Sequence, residues 1–237
     1  MNEVLNKKLK EYKLSQFDNK EFKAWVKDSN IWMSEYTCLR VKGIEMDKKE
    51  LVDVVNGKIM EDLPVDIYNF VHRFIDVHKE MQASIGMMTS MNEDLFQKYY
   101  EHLFEGDGYR RDNPVIYKWN YIAPHFTEIG KDLSSLFKDI DKMDDPVERA
   151  IRVHEGILSI FPYDTDTEVM ACVAFYYELM AAGIPLPSFT ADSFDYNDLV
   201  AKYLNEGSSE LAEMLERSLI NRLDSVLVFG HESKERQ

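Results

Sequence analysis

The sequence predicts an all-α fold with one hairpin-sized interruption, and three observations carry that expectation. Apolar residues recur at three- and four-residue spacing through most of the chain. Helix-stopping glycines and prolines bracket those runs. One stretch alone, Tyr109 to Ala123, loses the helical period.

Residues 3 to 14 form a short charged helix pattern. Phe22 to Trp32 follows with Phe22, Trp25, Val26 and Trp32 at near-helical spacing. Lys48 to Val55 is amphipathic, with Leu51, Val54 and Val55 on one side and Gly57 as its stop. A long helix is predicted from Pro64 to about Ile85, through Ile67, Phe70, Val71, Phe74, Ile75 and His78. Asn92 to Phe104 is the next, ended by Gly106 and Gly108.

Val115-Ile116-Tyr117-Lys118-Trp119 then reads as a small β-hairpin or extended flap. Helices resume from Pro124 through Phe137 and from Pro146 to Ile160, where Pro146 suits a first helical position. A strongly apolar helix spans about Asp166 to Ala182, closed by Gly183 and Pro185. Tyr196 to Asn205 and Ser209 to Val228 complete the array. The expected organisation is an N-terminal helical extension over residues 1–60 and a helical core domain over 61–237, packed as one unit.

Composition narrows the function classes. Apolar content of 45% with 12% aromatics fills a sizeable core and argues against disorder. The net charge is -15, and it is uneven. Residues 1–60 carry 12 basic and 10 acidic side chains; the remainder carries 16 and 33. So acidic a body repels nucleic acid. Cys38 and Cys172 have no CxxC company and are expected as two reduced thiols. No signal peptide is evident after Met1, and the apolar run Val169 to Pro187 is broken by Glu178. A cytoplasmic protein without membrane association is expected, with export by a signal-independent route left open.

The stretch that carries most information is Phe161-Pro162-Tyr163-Asp164-Thr165-Asp166-Thr167-Glu168, between two helices. His154 lies seven residues before Phe161, and Gly183-Ile184-Pro185 closes the helix that follows. Tyr109-Arg110 precedes the flap strand Val115-Ile116, and Pro124 lies beyond it. This arrangement resembles the Fic/Doc (Fido) family, whose signature is His-Pro-Phe-x-Asp/Glu-Gly-Asn-Gly-Arg-x-x-Arg within a helical bundle. The similarity spans roughly residues 30 to 225 and lies in layout more than in the motif itself.

Laid on this sequence without gaps, the signature histidine falls at Phe161, its proline at Pro162 and its phenylalanine at Tyr163. The metal-binding acid falls at Thr165, and Gly-Asn-Gly-Arg at Asp166, Thr167, Glu168 and Val169. The second arginine falls at Cys172. Family enzymes transfer AMP from ATP to a protein hydroxyl, with the histidine as base and the acid on Mg²⁺. Here Phe161 accepts no proton, which alone removes a factor of about 10²–10⁴ in rate. Val169 and Cys172 lack the fork-shaped phosphate contacts of arginine, and Thr165 lacks the charge that holds Mg²⁺. Asp166 and Glu168 put bulk and negative charge where glycines admit an anion.

The resemblance therefore implies a catalytically degenerate protein that binds no cofactor and acts through a protein partner. The alternative is a transferase using ATP and Mg²⁺ at a non-standard site, with His154 as substitute base. A third role is assembly through self-association. His154 also suits a packed, hydrogen-bonded position. The odd residues have a structural account too: Thr165-Asp166-Thr167-Glu168 fits a capping box, with Thr165 as N-cap and both acids at the positive helix end. A cation held by Asp164, Asp166 and Glu168 is a further option.

Some family members carry an inhibitory helix with a glutamate. Its nearest counterpart, Thr37-Cys38-Leu39-Arg40-Val41-Lys42, has Val41 at that place. Around the flap, Arg110, Arg111, Val115, Ile116, Tyr117 and Trp119 are the candidates for receiving a partner, by strand addition or through an exposed Trp119. Simple packing is their other use.

Overall fold

Short polar side chains begin most of the helices. Asn19, Asp47, Asn92, Asp145 and Asp192 each accept a hydrogen bond from a backbone N–H in the first turn that follows. Asp47 and Glu50 form a reciprocal capping box, and Pro146 occupies a first helical position. In chain order the elements are α1 (Glu3–Ser15), α2 (Lys20–Val41), α3 (Lys48–Val55), α4 (Val65–Gly86) and α5 (Glu93–Phe104). A hairpin of β1 (Val115–Ile116) and β2 (Tyr121–Ile122) follows. Then come α6 (Ile129–Ile140), α7 (Pro146–Ile160), α8 (Thr167–Ala181), α9 (Ser193–Glu206) and α10 (Glu210–Glu235). The computed structural model describes residues 2–15, 17, 19–60, 63–106, 108–189 and 191–235.

The axis of the bundle is α8. Its residues from Thr167 to Leu179 are all buried, as expected of a helix apolar on every side. It packs chiefly on α7, with α2, α4 and α5 around it. Gly183 stops it: at φ +67° it takes the left-handed conformation that favours glycine, while Ile184 N–H returns to Leu179 O at 2.9 Å. Pro185 prevents continuation. On the far side of α7, Gly156 lets α6 approach closely; a Cβ there would stand 2.5 Å from Leu136 Cδ1.

The expected helices are present, but α6 begins at Ile129 and not at Pro124, after a 3₁₀ turn over Phe126–Glu128, and three further differences stand beside it. α2 runs on to Val41, and within it the buried Ser34 and Thr37 satisfy their hydroxyls on the carbonyls of Asn30 and Met33. α10 continues to Glu235, where Ser233 is buried and bonded to Asn19. The expected strand through Trp119 is only two residues long. A 3₁₀ turn, Tyr117–Trp119, separates it from β2, and Val115 pairs with Ile122.

Leu5, Leu9, Leu39, Leu51 and Val54 join residues of the later helices in one apolar core. Phe17 and Phe22 build a smaller cluster with Val226 and Leu227. Both cysteines are buried and free. No helix among the described residues is long and apolar enough to cross a membrane.

Candidate functional site

The connection between α7 and α8 is built in two parts. Phe161 ends α7 in the left-handed conformation, φ 49°. Its ring is buried and meets Trp119 edge-on at 5.7 Å between centroids. Tyr163 is fully buried, stacked on Tyr100 and flanked by Phe96 and Tyr109. Its hydroxyl hydrogen-bonds to Gln97 at 3.2 Å, and burial raises its pKa.

Arg110 clamps this part. Nε donates to Phe161 O at 2.7 Å, Nη1 to Asp112 O at 2.5 Å, and Nη2 to Pro124 O at 2.5 Å. Its backbone N–H donates to Pro162 O at 2.9 Å. A guanidinium thus satisfies carbonyls left open where a helix ends. This corrects the expectation that Arg110 faces a partner: the residue is buried and its donors are committed to the chain.

The second part is charged. Asp166 is ion-paired with Lys42 at the end of α2, and Glu168 with Lys118 of the flap at 2.6 Å. The capping box does not form. Asp166, not Thr165, precedes α8; it is left-handed at φ 63° and makes no side-chain cap. Thr167 turns inward instead, taking a bond from Tyr163 N–H at 3.2 Å and donating to Tyr163 O at 3.1 Å. Tertiary packing of Tyr163 has overridden the local capping pattern.

The flap lies over this second part. Lys42, Val115, Ile116, Lys118, Phe161, Asp164, Thr165, Asp166 and Glu168 line one cleft of about 470 Å³. Arg111 and Tyr117 are exposed, Tyr117 by 90%, and Ile122, which pairs with Val115 across the hairpin, is exposed by 73%. Trp119 is a correction to the exposed-anchor expectation. It is buried, and its Nε1 donates to Asn197 at 2.7 Å because an indole N–H inside a fold needs an acceptor. Ile116 is likewise buried.

Three of the other singled-out positions lie away from the cleft. Val169 and Cys172 are fully buried in α8. His154 is fully buried beneath Phe175, Phe189 and Tyr196, and its Nε2 shares a 3.0 Å hydrogen bond with the Tyr196 hydroxyl. Burial lowers its pKa to about 3. A neutral, enclosed imidazole has no route to a substrate proton in the cleft.

The cleft therefore combines three carboxylates, Asp164, Asp166 and Glu168, with two ammonium groups, each already paired. Among the described residues no three His, Cys, Asp or Glu side chains gather to hold a metal ion. Two of the three candidate acids, Asp166 and Glu168, are drawn to separate lysines. Neither lysine was singled out as a site residue from sequence. Lys42 is 124 positions from its partner and Lys118 is 50, so no local spacing announces them.

No protein-family model matches the sequence, and no curated protein matches it. Solved structures do resemble it. A Fic-domain-containing signalling protein from Bacteroides thetaiotaomicron superposes with a TM-score of 0.80 at 13% identity, covering 97% of this chain and 98% of that one. Fic-1 from C. elegans gives 0.79 at 12% identity, over 97% of this chain and 72% of the other. A Fic family protein from Desulfovibrio desulfuricans gives 0.73 at 13%, over 98% and 76%. The chain has the fold of Fic-domain proteins.

Proposed function

We propose that this chain is a catalytically degenerate Fic-like protein that works by binding a protein partner at its flap and has lost AMP transfer. One observation carries the reading: the places that would receive a polyphosphate hold Asp166 and Glu168, each neutralised by a lysine of the chain itself. An ATP phosphate chain entering the cleft would meet three carboxylates and would have to break both ion pairs. At the base position Phe161 offers a packed ring and no lone pair. The residues do not fit ATP and Mg²⁺.

Binding is supported by the flap. Ile122 presents apolar surface on a two-stranded sheet whose outer edges have no neighbouring strand among the described residues, and Tyr117 adds to it from the turn between the strands. A peptide strand added there would gain backbone hydrogen bonds, with the exposed side chains supplying contact area. Affinity enrichment with the intact chain should capture a protein that a Tyr117→Lys, Ile122→Glu variant does not. Equal capture by both would contradict the flap as the binding surface.

A second reading is a transferase with a non-standard site. It draws support from α8, whose first turn has no side-chain cap and so retains N–H groups able to meet an anion. Transfer of label from α-³²P-ATP to protein by the purified chain would favour it. Absence of labelling, with retained partner capture, agrees with the binding reading.

A further inference from the structure

The end of α8 remote from the flap carries a second cavity, of about 420 Å³, within the size range of small-molecule sites. The 15 residues of α8 place the two about 22 Å apart along the helix. They share no lining residue. Phe22, Val26, Ile85, Met180 and Ile184 make apolar walls. The polar lining comes from Tyr12, Asn30, Gln82, Lys23 and Lys27. In a chain of net charge -15, every charged side chain lining this cavity among the described residues is a lysine.

Asn30 adds a donor to this setting. Asn30 Oδ1 accepts from Leu186 N–H at 3.0 Å and from Arg222 Nη2 at 3.2 Å. The acceptor end of the amide is thus taken and its orientation set, so the NH₂ is what remains for a ligand. Behind Asn30, Arg222 is buried against Trp25. Its Nη2 reaches Ser29, but Nε and Nη1 have no hydrogen-bond partner. No ion pair to Arg222 is present among the described residues. Burial lowers its pKa to about 10; the pKa of the cavity-lining Tyr12 is raised by its own burial, against which the Arg222 charge acts. Buried charges are ordinarily paired, since isolating one costs several kcal/mol.

We infer that this cavity binds a small amphipathic anion, its apolar body between Val26, Ile85 and Met180 and its head group held by Lys27 and Asn30 in front of Arg222. The inference is independent of the flap and of any reading of the Fic-like cleft.

Two dyes that differ only in a sulfonate test it on the full chain: 8-anilinonaphthalene-1-sulfonate and its neutral parent, N-phenyl-1-naphthylamine. The anionic dye should bind saturably, about tenfold tighter than the neutral one, the scale of one charge-assisted contact. Lys27→Glu, at an exposed position, should remove that advantage and leave neutral-dye binding unchanged. Val26→Trp should fill the cavity and abolish both, with circular dichroism verifying the fold of each variant. Equal affinity for the two dyes, absence of saturable anionic binding, or anionic binding untouched by Lys27→Glu would overturn the inference. The Lys27 variant alone decides it if Val26→Trp does not fold.

Discussion

Phe161 to Tyr163 and Asp164 to Glu168 are adjacent in one connection, yet opposite forces hold them. The first three residues are pinned by burial: a tyrosine within an aromatic cage, a ring against Trp119, and the Arg110 clamp. Of the next five, Asp164 and Thr165 are exposed, Thr167 turns inward, and long-range ion pairs tether Asp166 and Glu168. The difference separates framework from chemistry. A loop can keep its course through packing alone while its charged half is exchanged, which is how a Fic-like fold can persist at 13% identity or below.

If packing carries the framework, damage there should be large. Tyr163→Ala should lower unfolding free energy by about 3–5 kcal/mol, the usual range for a deleted core aromatic, as read by chemical denaturation. A loss near 1 kcal/mol would show that the aromatic cage contributes little. Arg110→Met should cost a few kcal/mol, since several buried carbonyls lose a donor.

Acid tests the buried side of the contrast in another way. Burial holds His154 at about 3 and His78 at about 4, both below the ordinary 6.5. Their neutral forms favour the fold above pH 6.5, and that contribution is lost as pH falls toward 4 and 3. Glu35 has the reverse sign: both its oxygens lack partners, and burial raises its pKa well above 4.5. It is a liability that grows as pH rises past 4.5. Glu35→Gln should therefore stabilise the protein at pH 7, with the gain shrinking toward pH 4.5. Thermal melts across that interval read both effects, and a pH-independent difference for the Glu35 variant would contradict this account.

The smallest effects belong to the charged half. Lys42→Ala and Lys118→Ala should each shift stability by no more than about 1 kcal/mol, as partly exposed pairs do. A loss comparable to that of Tyr163→Ala would erase the distinction between the two halves.

The fold was legible because helix periods and stop signals act locally: α3 and α7 occupy the expected residues, and α8 differs by a single residue at each end. That Phe161 has no lone pair with which to take a proton follows from its side chain alone. Less local features were not. Arg110 beside a flap has the same sequence signature whether it faces a partner or a ring of carbonyls, and only the end of α7 decides between them. Thr165-x-x-Glu168 matched a capping box, but Thr167 was drawn inward by Tyr163 and Glu168 outward by Lys118. Those forces come from residues distant in sequence, and pattern alone does not contain them.

The central claim is that the chain's own charges occupy the phosphate-receiving part of the cleft. Titrating the isotope-labelled protein with ATP and Mg²⁺ while following the backbone amides of residues 161 to 170 by NMR tests it most directly. The account predicts no saturable shifts at millimolar nucleotide. Saturable shifts centred on Asp166 to Val169 would contradict it.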